Sequence, residues 1–269
     1  RTELVSSVEE IDHQIFKAVL KEKQLKGVDI NSIADAPSGT GLGSSSSFTV
    51  GLLNVVHSYL GEKLSKEDLA SKACYIEIES LKNPIGKQDQ YAASYGGLNH
   101  IKFFPDGSVR VAPININNDH KTELDRNLIM IFTKGTRSAS KILEKQNEVI
   151  SRKKKIKQMN QMVDQATKLR QSLEEGRLDD FGQTLHEGWE LKKSLTREIS
   201  NSGIDQIYEK GIDSGALGGK LCGAGGGGFI LFYCPLEKQE NFRQNMSEFI
   251  EMRFNFESEG SKLINLQES

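Results

Sequence analysis

The chain has 269 residues, of which 36% are hydrophobic and 27% charged, and its formal net charge is −2. No basic excess points to nucleic acid as a partner, and no run of about 20 apolar residues predicts a membrane-spanning helix. Cys74, Cys222 and Cys234 are widely spaced and form no CxxC pair, which predicts reduced thiols in a cytoplasmic protein. The histidines are scattered, and none pairs with another at metal-ligand spacing.

Helix and strand patterns alternate along the first half of the chain. Helices are recognised by capping residues and a 3.6-residue apolar period, and strands by alternating apolar and polar residues. These patterns predict a helix over residues 7–27, a strand over 28–33, a mostly buried helix over 48–56, a helix over 65–81 and a hairpin of strands 98–104 and 109–114. Asp106 and Gly107 form the predicted hairpin turn.

The second half is also mixed. The patterns predict a strand over 128–132, helices over 138–193 interrupted at Gly176, a strand over 229–233, a helix over 237–252 and short strands near Phe254 and Leu263. The interleaving of strands and helices indicates the α/β or α+β class. Residues 115–125 are polar and aperiodic, so we predict a domain boundary near or shortly after them, which gives domains 1–134 and 135–269.

A phosphate-binding loop is predicted at residues 37–47, which read Pro-Ser-Gly-Thr-Gly-Leu-Gly-Ser-Ser-Ser-Ser. Glycines bring backbone N–H groups close to an anion, and the N-terminus of the following helix attracts the same charge. The segment is not a Walker A loop, because no Gly-Lys-Ser/Thr follows at the required spacing. It also lacks the glycine spacing of a dinucleotide fingerprint. A flexible loop that ends in a serine cap is the remaining alternative.

An acidic segment at residues 77–90 contains the next candidates. Phosphoryl transfer to a hydroxyl requires a cation on the phosphates and a carboxylate that accepts or orients the hydroxyl proton. Asp89 follows Pro84 and Gly86 in a stretch predicted to be non-helical, where its side chain can face a ligand. Lys87 could lower the pKa of Asp89 or contact the transferred phosphate, and Glu79 could complete a magnesium site. Ordinary surface carboxylates are the alternative.

A second glycine-rich segment covers residues 215–228 and precedes the predicted strand 229–233. Consecutive glycines are entropically costly, so they indicate a backbone that passes very close to a ligand or to another element. Lys220 and Cys222 are expected to pack or tether this segment. Trp189 is expected in the core, with a place under a sugar site as the alternative.

Both glycine-rich segments resemble motifs of the GHMP kinases. The second family motif, Pro-x-x-x-Gly-Leu-Gly-Ser-Ser, is matched from Pro37 to Ser45, and the third, Lys-x-x-Gly-Ala-Gly-Gly-Gly-Gly, from Lys220 to Gly228. The resemblance implies that ATP phosphates are bound by Pro37, Gly39, Gly41, Leu42, Gly43, Ser44, Ser45 and Ser46. It implies that the substrate end of the site includes Gly223, Gly225 and Gly226.

The resemblance also assigns roles to the polar side chains. It implies that Ser45 helps hold Mg²⁺, with Ser44 as the neighbouring candidate. Asp89 is implied to be the catalytic base or hydroxyl-orienting residue, with Lys87 beside it. Glu79 is implied to be the metal ligand and Glu77 is a weaker candidate, because the spacing to Asp89 differs slightly from that of mevalonate kinase.

Several short stretches are similar to one branch of the family, the D-glycero-D-manno-heptose 7-phosphate kinases with the related fucokinase domain. They are residues 2–5, 41–48, 85–93, 96–99 and 136–140. The similarity implies an N-terminal domain like ribosomal protein S5 domain 2 and a ferredoxin-like C-terminal domain. It also implies transfer from ATP to the anomeric hydroxyl of a sugar or sugar phosphate. Arg137 is expected to bind the distal phosphate of such a sugar; an ordinary arginine at a helix start is the alternative.

Other interpretations remain open at this point. L-fucokinase or another GHMP sugar kinase is the nearest alternative, and a catalytically silent binding protein of the same fold is an alternative from a different class. A dinucleotide-binding oxidoreductase is disfavoured by the glycine spacing. The family's first strand and first glycine-rich motif, which contacts the sugar, are not recognised in this sequence, so the sugar site is expected to be incomplete without them. The oligomeric state is open, with a homodimer as one alternative.

Overall fold

The computed structural model describes residues 2–37, 39–134, 142–143 and 153–264, with the side chains of residues 153–155 left aside. The chain forms two compact units. The first consists of Arg1–Pro37, Gly43–Gly97 and Glu257–Ser269, and the second of Ser38–Leu42 and Leu98–Phe256. The glycine-rich segment at residues 37–47 therefore contributes to both units.

The first unit is helical in its described part. Its α-helices are α1 (Gln14–Lys23), α2 (Ser44–Tyr59), α3 (Lys66–Cys74) and α4 (Gln88–Tyr95). A π-helical turn, Tyr75–Ser80, directly continues α3. The apolar faces of α1, α2 and α3 meet in one core, in which Val19, Val50, Leu53 and Leu69 are almost completely buried. This core fixes the start of α2 relative to the π-helical turn.

Two predictions near the N-terminus are wrong. Instead of one helix over residues 7–27, a short 3-10 turn, Val8–Glu10, precedes α1. Residues 28–33 form no strand, and Ile33 is 96% exposed. A strand needs a neighbour to satisfy its backbone groups, and no segment in the described part of the chain pairs with this one. The helix predicted from residue 65 is confirmed, since the Ser65 hydroxyl accepts a hydrogen bond from the Asp68 amide at 3.0 Å.

The second unit contains the described β-structure. Strands β1 (Asn99–Phe103) and β2 (Val109–Pro113) form the predicted antiparallel hairpin. A four-stranded antiparallel sheet has the order β4-β5-β3-β6, formed by β3 (Leu128–Phe132), β4 (Gly218–Leu221), β5 (Phe229–Tyr233) and β6 (Ile250–Met252). Its helices are α5 (Asn118–Asn127), α6 (Lys153–Glu174), α7 (Asp179–Lys193), α8 (Ser202–Asp213) and α9 (Gln239–Asn245).

The sequences of β3 and β5 are apolar along their whole length because these strands lie in the middle of the sheet. Ile129, Ile131, Ile230 and Phe232 are almost completely buried. Trp189 of α7 packs in the same core and is 1% exposed, so its expected place in the core is confirmed. Gly176 separates α6 from α7 with a φ of +75°, as the interruption of the helical period predicted.

Other predictions in this unit need correction. Residues 115–125 are not aperiodic loop, because Asn117 caps α5 by accepting from the His120 amide at 2.7 Å. The helix predicted over 237–252 stops at Asn245, and its last residues form β6, which pairs with β3. No strand is found at Phe254 or Leu263 in the described residues. Part of the second glycine-rich segment is itself a strand, β4, hydrogen-bonded to β5.

The compact units do not divide at residue 134. Strand β3 is hydrogen-bonded to β5 and β6, so a division after residue 134 would separate a central strand from its sheet. The contacts instead place the change of unit after Gly97 and return the chain to the first unit at Glu257. No helix within the described residues is both long enough and apolar enough to cross a membrane.

Candidate functional site

The first glycine-rich segment has the backbone that its glycines predicted. Gly39, Gly41 and Gly43 have φ values of +75°, +79° and +69°, in the left-handed region that favours glycine. Gly43 is the N-cap of α2, and it offers no side-chain oxygen to the first amide groups of the helix. Those amides are the donors from which an anion at a helix N-terminus accepts hydrogen bonds, so phosphate binding by this segment stays a prediction that its backbone permits.

A buried carboxylate lies beside the start of α2. Ser45 donates a hydrogen bond to Glu77 Oε1 at 2.6 Å, and Gln90 donates to Glu77 Oε2 at 2.6 Å. Glu77 and Gln90 are both 0% exposed. Glu77 belongs to the π-helical turn after α3, a conformation that is frequent at functional sites. Within the first unit, this turn directs the carboxylate toward the serine-rich start of α2.

Asp89 lies next to the same loop. It is in the first turn of α4 rather than in a non-helical stretch, so that part of the prediction is wrong. A Cβ atom on Gly43 would lie 3.2 Å from the Asp89 carboxyl carbon, which shows how closely the two residues approach. Although Asp89 remains accessible to solvent, partial desolvation and the nearby Glu77 carboxylate raise the pKa of its carboxyl group. The pKa of Asp89 is thus shifted upward and not downward, as the position of Lys87 had suggested.

The other predicted side chains are placed differently. Glu79 is exposed, and its carboxylate lies 3.7 Å from the ammonium of Lys82. Glu77, the weaker candidate from the sequence, is the one that contacts Ser45. Lys87 is the N-cap of α4, two residues before Asp89. Arg137 lies outside the described residues.

The two glycine-rich segments touch each other within the second unit. A Cβ on Gly41 would lie 2.5 Å from the carbonyl oxygen of Cys222, and a Cβ on Gly223 would lie 2.5 Å from the Cα of Gly41. Real Cβ atoms do not approach so closely, so both positions require glycine. The sequence offered two reasons for the glycines of the second segment, a ligand or a close crossing with another element. The crossing is present, and the element that the second segment crosses is the first glycine-rich segment.

Two further contacts hold the second glycine-rich segment, and sequence reasoning missed both. Thr133 follows β3 and forms hydrogen bonds with Gly228 in both directions. The Thr133 amide donates to the Gly228 carbonyl at 2.8 Å, and the Gly228 amide donates to the Thr133 hydroxyl at 3.0 Å. Lys192, near the end of α7, donates to the carbonyl oxygen of Gly223. Neither residue lies in a recognisable motif, so no local signal marked them.

Comparison with known proteins identifies the family. Residues 11–97 match the GHMP kinases N terminal domain and residues 169–251 match the GHMP kinases C terminal domain. The chain is 32% identical over 257 residues to a D-glycero-alpha-D-manno-heptose 7-phosphate kinase of Campylobacter jejuni, covering 94% of this chain and 76% of that protein. The chain belongs to the GHMP kinases.

Two further GHMP kinase relatives span different lengths. A bifunctional fucokinase/GDP-fucose pyrophosphorylase of Arabidopsis thaliana is 29% identical over 84% of this chain, which spans only 22% of that protein. The crystal structure of a D-glycero-D-manno-heptose 1-phosphate kinase from Bacteroides thetaiotaomicron matches with a TM-score of 0.69 and 25% identity, over 94% of this chain and 74% of that one.

The comparisons confirm two predictions from the sequence, the family and the two-domain fold of helices and antiparallel sheets that goes with it. ATP is the phosphoryl donor of GHMP kinases, so the chain belongs to a family of ATP-dependent kinases. The oxidoreductase alternative is excluded. The residue roles are not decided by family membership, and they rest on the contacts described above.

The Gln90 contact leads to a first prediction. We expect Gln90→Leu to lower the free energy of unfolding by about 1–3 kcal/mol, because Glu77 Oε2 would remain buried without its donor. Urea unfolding measures the loss. Gln88→Leu is the matched control, because Gln88 lies on the same helix and is exposed. Equal stability of the two variants would show that Gln90 does not support Glu77.

Proposed function

We propose that this GHMP kinase transfers the terminal phosphoryl group of ATP to the anomeric hydroxyl of D-glycero-D-manno-heptose 7-phosphate, forming the 1,7-bisphosphate. The observation that carries the proposal is the 32% identity to a heptose 7-phosphate kinase over 94% of the chain. The heptose 1-phosphate kinase is less similar, at 25% identity, so we favour the 7-phosphate as substrate. The grouping of Ser45, Glu77 and Asp89 in one unit supports phosphoryl transfer as the reaction.

We assign the proton-accepting role to Asp89. Its carboxylate is accessible, and it lies beside Gly43 at the loop that we assign to the ATP phosphates. A carboxylate at this position can accept or orient the proton of an attacking hydroxyl group. Partial desolvation and, to a smaller extent, the neighbouring Glu77 carboxylate raise the pKa of Asp89, which makes it a better proton acceptor than an ordinary aspartate.

We assign the magnesium ligands to Ser45 and Glu77, in place of Ser45 and Glu79. The donor set fits the ion, because a hydroxyl and a carboxylate are hard oxygen ligands and Mg²⁺ is commonly held by one or two carboxylates together with substrate phosphates. No group of three or more His, Cys, Asp or Glu side chains that could hold a metal is found in the described residues, which agrees with a site completed by the nucleotide. When bound, Mg²⁺ neutralises charge on the transferred phosphate.

We assign the binding of phosphate groups to the two glycine-rich segments. The first supplies backbone N–H groups and the start of α2, and the second supplies the backbone around Gly223, Gly225 and Gly226. The contact between Gly41 and Gly223 holds the two segments together, so binding at one affects the other.

Two earlier predictions remain open: a cytoplasmic location, which suits the supply of ATP and sugar phosphate, and a homodimer, which light scattering would test.

ADP release by the full-length protein tests the proposed function. We expect turnover with heptose 7-phosphate, and a kcat/KM at least tenfold lower with heptose 1-phosphate, mannose, fucose and galactose. A preference for fucose would favour L-fucokinase, for which the 29% identity to the plant bifunctional enzyme is the supporting observation. Tight ATP binding without turnover of any acceptor would favour the catalytically silent alternative and would contradict the proposal.

A further inference from the structure

Lys192 is a half-buried cation at the second glycine-rich segment. It lies one residue before the end of α7, and its ammonium donates to the carbonyl oxygen of Gly223. Gly223 is also the residue whose backbone touches Gly41. The Lys192 ammonium is therefore anchored where the two glycine-rich segments meet in the second unit.

Lys192 and Lys220 bring two positive charges to this segment. In the described part of the chain, no ion pair within 4.0 Å joins a carboxylate to the Lys192 or Lys220 ammonium, and the Lys220 ammonium is the like charge that acts on Lys192. Burial and the Lys220 ammonium lower the pKa of Lys192 to about 8. Lys220 lies in β4, the strand against which α7 packs, and a bound anion relieves the repulsion between the two like charges.

The next residue on α7 shows the opposite arrangement. The Lys193 ammonium lies 2.7 Å from Glu190 and 3.9 Å from Asp205, and it stacks over the Trp189 ring at 5.7 Å. Its charge is neutralised within the protein. Lys192 and Lys193 are adjacent on one helix, but among the described residues only Lys193 is paired with carboxylates. Lys192 is therefore the one of the two that suits a bound anion.

We infer that Lys192 and Lys220 form a phosphate-binding site at Gly223, which takes a phosphate group carried either by the sugar or by the nucleotide. The inference rests on the proposed function for the identity of these two ligands. An ammonium has three N–H donors, and the Gly223 carbonyl occupies one of them in Lys192. The remaining donors suit phosphate oxygens, which lysine binds as a compact point charge.

Calorimetric titration of Lys192→Met with ATP, with heptose 7-phosphate and with mannose tests this site. We expect the affinity for one of the two phosphorylated ligands to fall at least tenfold, since a hydrogen bond to a charged group is lost. A loss confined to heptose 7-phosphate, with mannose unchanged, assigns the site to the phosphate of the sugar. A loss confined to ATP assigns it to the nucleotide.

Lys193→Met is the matched control. Lys192→Arg keeps the positive charge, so it separates the loss of the charge from a purely structural effect of replacing the lysine side chain. We expect wild-type affinity for the same ligand to weaken between pH 7 and pH 9, as the ammonium with a pKa of about 8 loses its proton, and this weakening to vanish in Lys192→Met. If Lys192→Met binds both phosphorylated ligands as Lys193→Met does, the inference is overturned.

Calorimetry separates this inference from the proposed function, because binding does not require turnover. An inactive wild-type protein whose ATP affinity still depends on Lys192 would contradict the proposed function and keep the phosphate site. An active enzyme in which Lys192→Met and Lys220→Met leave the affinity for both ligands unchanged would keep the function and remove the site.

Discussion

Replacing Asp89 by asparagine is expected to lower kcat for phosphoryl transfer by about 10²–10⁴-fold, while ATP affinity changes less than threefold. Asparagine has nearly the same size and keeps the contact with Gly43, but it cannot accept the hydroxyl proton. Steady-state kinetics of Asp89→Asn and titration with ATP measure the two quantities separately. Retention of wild-type kcat would remove Asp89 from the mechanism.

Asp119→Asn is a suitable control for this experiment. Asp119 also lies in the first turn of a helix, α5, and it is exposed. The control therefore repeats the change of charge at a helix N-terminus without touching the candidate site. We expect it to leave kcat and ATP affinity unchanged, so that a loss in Asp89→Asn can be assigned to the position and not to the helix dipole.

The stability of Asp89→Asn provides a further check. Because the folded-state pKa of Asp89 is raised, the charged carboxylate disfavours folding at neutral pH, and this cost disappears as the pH falls below the unfolded-state value. We expect Asp89→Asn to be as stable as the wild type or more stable at pH 7, with an advantage that vanishes in acid. Urea unfolding at two pH values measures it. A destabilised variant at pH 7 would mean that Asp89 is held by favourable contacts instead.

Gly41→Ala is expected to produce the second large effect, a loss of ATP affinity of at least tenfold. The new Cβ would lie 2.5 Å from the Cys222 carbonyl oxygen and 3.1 Å from the Cα of Gly223, so the two glycine-rich segments must separate. The left-handed φ of +79° adds about 1–2 kcal/mol of strain, and overpacking adds about 1–3 kcal/mol. ATP titration and urea unfolding measure both consequences.

Gly61→Ala separates the clash from the backbone strain. Gly61 has a φ of +75°, but a Cβ there would meet no atom within 4 Å. We expect this control to lose only the stability that the left-handed conformation costs, about 1–2 kcal/mol, and to bind ATP normally. If Gly41→Ala behaves in the same way, the crossing of the two segments does not matter for the nucleotide.

The elements that the sequence predicted correctly are those with strong local signals. The hairpin around Asp106 and Gly107, strands β3 and β5 and the Ser65 cap are fixed by neighbouring residues, so a short window suffices to find them. The strand expected at residues 28–33 failed for the opposite reason. Alternation shows that a segment suits a sheet, but a strand forms only where another strand supplies its hydrogen bonds.

The candidate site likewise divides into residues that local sequence signals identified and residues that they did not. Both glycine-rich segments and Asp89 lie in contiguous motifs, and the sequence identified them together with the family that the comparisons confirm. The choice between Glu77 and Glu79 could not be made from spacing. A π-helical turn shifts the helical phase, and it places Glu77 against Ser45 while Glu79 faces solvent and Lys82.

By itself the sequence determined the family, the class of reaction and the positions of the two glycine-rich segments, because these depend on residues that are neighbours in the chain. Only the tertiary structure decided what supports them: Gln90 against Glu77, Thr133 around Gly228, and Lys192 at Gly223. Thr133 is 95 residues from Gly228, and Lys192 is 31 residues from Gly223. Contacts over such distances depend on how the helices and strands pack, which no local pattern of residues records.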